Sequence, residues 1–150
     1  EHRFTPEQEQ NWKYRFTEFT EYARENGDGA VPHTYPKNPQ LARWVRRQRR
    51  MYKLYQDGKK SAMTGERIDL LTSAGFIWDS HEVNWRERIR ALRRYRKEFG
   101  NCNVSERHDR KLRGWTKYLR RQYKFFMDGS PSTMNPQRIE ELNKMDFDWQ

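Results

Sequence analysis

Rings and aliphatic side chains recur along this chain at three- and four-residue spacing, in blocks separated by proline and glycine. Trp12, Phe16, Phe19 and Tyr22/Ala23 mark one face of a first helix, the periodicity of a helix with a single buried stripe. Thr5-Pro6-Glu7-Gln8 is a helix start, with a Thr cap, a first-turn proline and Gln three residues after the cap, and Asn26-Gly27 is a stop. Gly29, Pro32, Pro36 and Pro39 predict an irregular loop from Asp28 to Pro39, from which Val31 and Tyr35 enter the core. A second helix begins at Pro39 or Gln40 and runs to Asp57-Gly58, with Leu41, Trp44, Val45, Gln48, Tyr52 and Tyr55 on its inner stripe. Thr64 caps a third, whose inward residues are Ile68, Leu71 and Ala74. Gly75 ends it, and Phe76 and Trp78 close the unit.

The same plan then repeats. From Leu41 to Asp79 the chain aligns with its own later sequence at an offset of 71 residues without a gap, and 15 of the 39 columns are identical. Upstream the offset becomes 73, so that Trp12 meets Trp85, Phe19 meets Leu92, Tyr22 meets Tyr95 and Val31 meets Val104. In the second copy Asp79 or Ser80 caps the first helix, and Trp85, Ile89, Leu92 and Phe99 form its buried face. Its loop runs from Asn101 to Asp109. The next helix carries Leu112, Trp115, Leu119, Tyr123 and Phe126 and stops at Gly129. Asn135-Pro136 then opens the last helix, with Ile139 and Leu142 inward, and Trp149 ends the copy. The pattern predicts an all-α chain of two tandem three-helix units, spanning residues 1–79 and 80–150.

Leu, Ile, Val and Phe number only 24 of 150 residues, a poverty that ordinarily goes with disorder. The 22 aromatics change that reading, because each buried ring removes about 150–250 Å² from water, and all six tryptophans fall in matched columns. The lone cysteine, Cys102, excludes a disulfide framework and a Cys-rich zinc site, and its column partner Gly29 marks it as a small loop residue. No apolar run approaches the ~20 residues of a membrane span, and Glu1-His2-Arg3-Phe4 has no signal-peptide pattern. The expectation is an intracellular protein without a membrane partner, nuclear in a eukaryote and otherwise cytoplasmic or nucleoid-bound. The chain ends on the last repeat column, as expected of a piece of a longer protein with further repeats or domains.

Charge divides the elements further. The net charge of +10 is concentrated on the second helix of each copy, which carries +5 over residues 39–58 and +5 over 109–129, whereas the third carries −2 in both. Arg43, Arg46, Arg47 and Arg50 project opposite the ring stripe, with Lys53 at its flank; Arg113, Lys117, Arg120, Arg121 and Lys124 are the second-copy set. The first helix of copy two adds a basic ridge that includes Arg90, Arg94 and Lys97. Charged helix faces are ordinarily just solvated. A face dense in arginine, short of acids and present twice instead implies a polyanionic partner. Arg49 and Arg120 lie nearest the apolar border and are expected to pair with an acid of their own repeat.

These features resemble the helicase-associated domain family. The matching elements are a Trp on the first helix, Gly29-Ala30-Val31-Pro32, Leu-x-x-Trp-Val-x-x-Gln-Arg from Leu41 to Arg49, Tyr52, Asp-Gly, and Leu-x-x-x-Gly-Phe-x-Trp from Leu71 to Trp78. The second copy departs from the pattern at Ser105, Leu119 and Met145-Asp146, and Ala42 and Arg113-Gly114 stand where the family favours glycine early in helix two. The resemblance implies small three-helix domains, homeodomain- or Myb-like in size, that occur in tandem and bind nucleic acid. In ordinary helix-turn-helix modules the last helix enters the major groove. Here that helix is acidic, so helix two is the expected contact, and the loss of Gln48 in copy two argues against that residue as a base reader.

An enzyme is not expected. His2, His33, His81 and His108 share no repeat column or metal-ligand spacing, and no phosphate loop, His-Glu-x-x-His or nucleophile motif is present. No metal, cofactor or small-molecule substrate is implied, and any ATPase activity of an intact protein would lie outside this chain. The leading expectation is a non-catalytic module for double-stranded DNA. RNA binding and a protein-interaction array for an acidic partner remain as alternatives.

Overall fold

The structure is a computed structural model that describes residues 4–150. Glu1, His2 and Arg3, and with them one of the four histidines, lie outside the described residues. Six helices follow one another: α1 Pro6–Asn26, α2 Pro39–Gln56, α3 Gly65–Ser73, α4 Ser80–Phe99, α5 Arg110–Met127 and α6 Pro136–Asn143. Two tandem helical units result, with no named strand among the described residues. Measured by contacts, the units divide inside α4, between Glu87 and Arg88. The division lies within a helix because α4 begins directly after Trp78-Asp79, leaving no linker.

Capping chemistry explains where each helix starts. Thr5 and Gln8 exchange side-chain and backbone bonds in a complete capping box at the head of α1. Asn38, Thr64, Asp109 and Asn135 each accept an orphan N–H three residues on. Asp79 rather than Ser80 precedes α4, its carboxylate accepting from the His81 N–H at 2.9 Å.

The first core gathers Trp12, Phe19, Tyr22, Val31, Leu41, Val45, Met63, Leu71 and Phe76. Aromatic contacts organise it: Phe19 meets Phe76 at 5.3 Å, and Tyr52 stacks on Trp78 at 4.2 Å. The second repeat buries Ile89, Leu92, Val104, Leu112, Trp115, Leu119, Leu142 and Phe147, and stacks Tyr123 on Trp149 at 4.3 Å. Loop hydrogen bonds recur in register as well. The Tyr22 hydroxyl donates to Ala30 O at 3.0 Å, and Tyr95 donates to Asn103 O at 3.1 Å. Ser61 and Ser132 each donate to a carbonyl of the preceding helix at 2.6 Å.

Two expected core positions lie outside. Tyr55 is 46% exposed and Phe99 38% exposed, each in the last turn of its helix, and Phe99 packs on Tyr95 and His108 at 4.5 and 4.4 Å rather than in the core. Two segments run close together at Gly29, where an added Cβ would sit 2.3 Å from the Gly75 carbonyl oxygen. Cys102 occupies that column in the second repeat, buried, with its thiol donating to Met145 O at 3.4 Å. Gly75 adopts φ 90°, and its counterpart Asp146 takes the same left-handed turn at φ 55°.

Candidate nucleic-acid interface

The basic helices owe their orientation to their apolar sides. On α2, Leu41, Val45 and Gln48 are buried, which turns Arg43, Arg47, Arg50 and Lys53 outward, all exposed. None of these four side chains has an ion pair among the described residues, and neither do Lys117, Arg121 or Lys124 on the outer side of α5. Two columns are therefore exposed and uncompensated in both units: Arg50/Arg121 and Lys53/Lys124. On α4, Arg94 and Lys97 are exposed and Arg90 is half-buried. Its neighbours Arg93 and Arg96 are paired, with Glu141 at 3.4 Å and Asp146 at 3.1 Å.

The remaining arginines are engaged inside their own units. Arg46 donates to the carbonyl of His33, and Arg113 to that of Val104 at 3.3 Å. Arg49 donates Nε–H to Ile77 O at 2.9 Å and lies over the Phe76 ring at 5.5 Å. Arg120 repeats this in the second unit, donating to Asp148 O at 2.8 Å and lying 5.2 Å above Phe147. Both arginines do hold their helices to the closing segment of the unit. Each donates to a backbone carbonyl rather than to the acid expected from sequence. Burial first, and then the nearby charge of Arg46, push the Arg49 guanidinium below its ordinary pKa.

An open groove of about 900 Å³ runs beside this ridge in the first unit, lined in part by Arg46, Arg49, Arg50, Lys53, Tyr52 and Trp78. Gln48, considered above as a base reader, is 2% exposed and accepts from the Trp12 indole N–H at 3.1 Å. Leu119 replaces it in the second unit and is equally buried. No cluster of three His, Cys, Asp or Glu side chains is placed to hold a metal ion among the described residues. Burial raises the Cys102 thiol above its ordinary pKa, opposite to the shift a nucleophile needs. No described helix is long and apolar enough to cross a membrane.

The model of the helicase associated domain matches residues 9–79 and again residues 82–150. The chain belongs to the helicase associated domain family. No match is found among curated proteins or among solved structures. In this pair of helicase associated domains the segments that match the family sequence, Leu41 to Arg49 and Leu71 to Trp78, are largely core and latch: Leu41, Val45, Gln48, Leu71 and Phe76 are buried, and Arg49 clasps the segment carrying Phe76. The exposed cations lie between those positions.

Two surface residues were missed by reasoning from sequence. Tyr118 and Phe125 lie on the outer side of α5, 37% and 39% exposed, among Lys117, Arg121 and Lys124. A signal for Tyr118 was present: its column holds Arg47 in the first repeat, a position that faces solvent.

Proposed function

We propose that this chain is a non-catalytic nucleic-acid-binding module that contacts double-stranded DNA through the outer faces of α2 and α5. One observation carries the reading: Arg50-Lys53 and Arg121-Lys124 are exposed and without an ion-pair partner at the same register of both units. Like charges one turn apart repel, so such a pair is stabilised by an external polyanion. A DNA duplex offers one negative charge per ≈ 1.7 Å of axis, dense enough to meet every cation on a helix face. Lys117, Arg43 and Arg47 extend the same faces, and Arg94 and Lys97 on α4 add a further phosphate-binding ridge, with Arg90 beside them.

Arg46, Arg49, Arg113 and Arg120 serve this reading indirectly, by holding loop and closing segment against the basic helices. The outward arginines of α2, Arg43, Arg47 and Arg50, have the length and freedom to reach guanine edges. Acidic α3 and α6 are poor phosphate neighbours, which favours docking through the second helix of each unit over a recognition-helix geometry.

Fluorescence anisotropy with a labelled random-sequence duplex, titrated at several salt concentrations, tests the proposal. The expected result is log affinity falling linearly with log salt, by about 0.9 per phosphate neutralised. Replacing Arg121 and Lys124 with alanine should weaken binding to every duplex sequence alike and flatten that slope by about 2. No binding at low salt would overturn the nucleic-acid reading and turn attention to an acidic protein partner.

A further inference from the structure

The two basic helices differ on the side that faces solvent. Exposed Gly114, Tyr118 and Phe125 of α5 stand in the columns that α2 fills with exposed Arg43 and Arg47 and half-buried Leu54. Tyr118 and Phe125 are seven residues apart, which puts them on one side of the helix and about 10 Å from each other along its axis, with Arg121 between them. Neither ring belongs to the core. The core side of α5 is taken by Leu112, Trp115 and Leu119, all buried.

The Tyr118 hydroxyl is hydrogen-bonded to Thr133 Oγ1 at 3.0 Å, so its ring is held across the surface rather than free to turn. Holding a ring in place before contact lowers the entropy lost when a partner stacks on it. Lys117, Arg121 and Lys124 flank the two rings without ion pairs among the described residues. Planar apolar surfaces interleaved with uncompensated cations are the two halves of single-strand recognition: bases stack on the rings while the backbone lies along the cations. Paired bases in a duplex present edges and not faces, so a duplex satisfies the cations and leaves the rings in water.

We propose that α5 carries a stacking surface for unpaired nucleotides, with Tyr118 and Phe125 as the platform and Lys117, Arg121 and Lys124 as the phosphate contacts. The inference rests on the nucleic-acid reading above and makes the two repeats unequal. The first neutralises backbone with arginines, and the second also binds a single-stranded segment. A polyanion with exposed flat rings fits this face better than an acidic protein helix, whose carboxylates would meet the cations but leave both aromatic faces unmatched.

The test compares the intact chain with three variants on two labelled probes, a single-stranded oligonucleotide and a blunt duplex of the same length. For the Tyr118→Ala/Phe125→Ala variant, affinity for the single strand should fall about tenfold or more with an unchanged salt slope, while duplex affinity stays close to wild type. Tyr118→Phe keeps the ring but loses its bond to Thr133, and should bind the single strand less tightly than wild type and more tightly than the double-alanine variant. Tyr118→Arg installs the first-repeat residue, and the ratio of single-strand to duplex affinity should drop. Equal losses on both probes, or an unchanged ratio in both ring-removing variants, overturns the stacking surface. Wild-type protein that binds the duplex normally under that outcome leaves the phosphate reading standing. Wild-type protein that binds neither probe at low salt overturns both.

Discussion

Gln48 shows how one side chain changes meaning with its surroundings. On a basic helix, an amide beside arginines has the look of a base reader. Turned inward at 2% exposure, it instead gives the Trp12 indole N–H its acceptor at 3.1 Å. Burying a donor without a partner costs about 1–3 kcal/mol, so Gln48→Ala should destabilise the protein by that order, as read by urea unfolding. Duplex affinity of the protein that remains folded should be unchanged. Arg49 and Arg120 make a related point, since an arginine that donates to a carbonyl and covers a ring contributes to the unit's closure as well as to its charge. Lysine has the charge but not the planar fork, and could not make both contacts.

At the scale of the helix, α5 contains a glycine with no internal reason for being there. Gly114 lies on the exposed side of α5, and a Cβ built on it would meet nothing within 4 Å. Glycine inside a helix is less favourable than alanine by roughly 0.5–1 kcal/mol, so Gly114→Ala should stabilise the protein by about that amount in urea unfolding. Gly29→Ala should do the opposite, because its Cβ would be 2.3 Å from the Gly75 carbonyl oxygen. Helix positions themselves were legible from sequence to within about two residues, because caps and stops are local chemistry. The fates of Tyr55 and Phe99 were not, since periodicity marks a helix face and cannot say how far along the helix its neighbours extend.

Across the whole chain, the repeat distributes cations over two units in the same register. If both dock on one duplex, Lys53→Ala and Lys124→Ala should each flatten the salt slope by about 1 and together by about 2. A change from only one of them would assign duplex contact to a single repeat. Because Lys53 and Lys124 are exposed and hold no ion pair among the described residues, neither substitution should shift the unfolding midpoint measurably.

Periodicity, capping residues and self-similarity determined the helices, their order, the tandem plan and the family, because each depends on residues close in sequence or on the register between two copies. The candidate interface was only half determined that way. Sequence placed the cations on α2 and α5. Which of them face solvent depended on long-range partners that no local pattern encodes: the carbonyls of His33, Ile77, Val104 and Asp148 that engage Arg46, Arg49, Arg113 and Arg120. Tertiary packing likewise decided that Gln48 is core and that Tyr118 and Phe125 are surface, because burial is set by what the neighbouring segments cover.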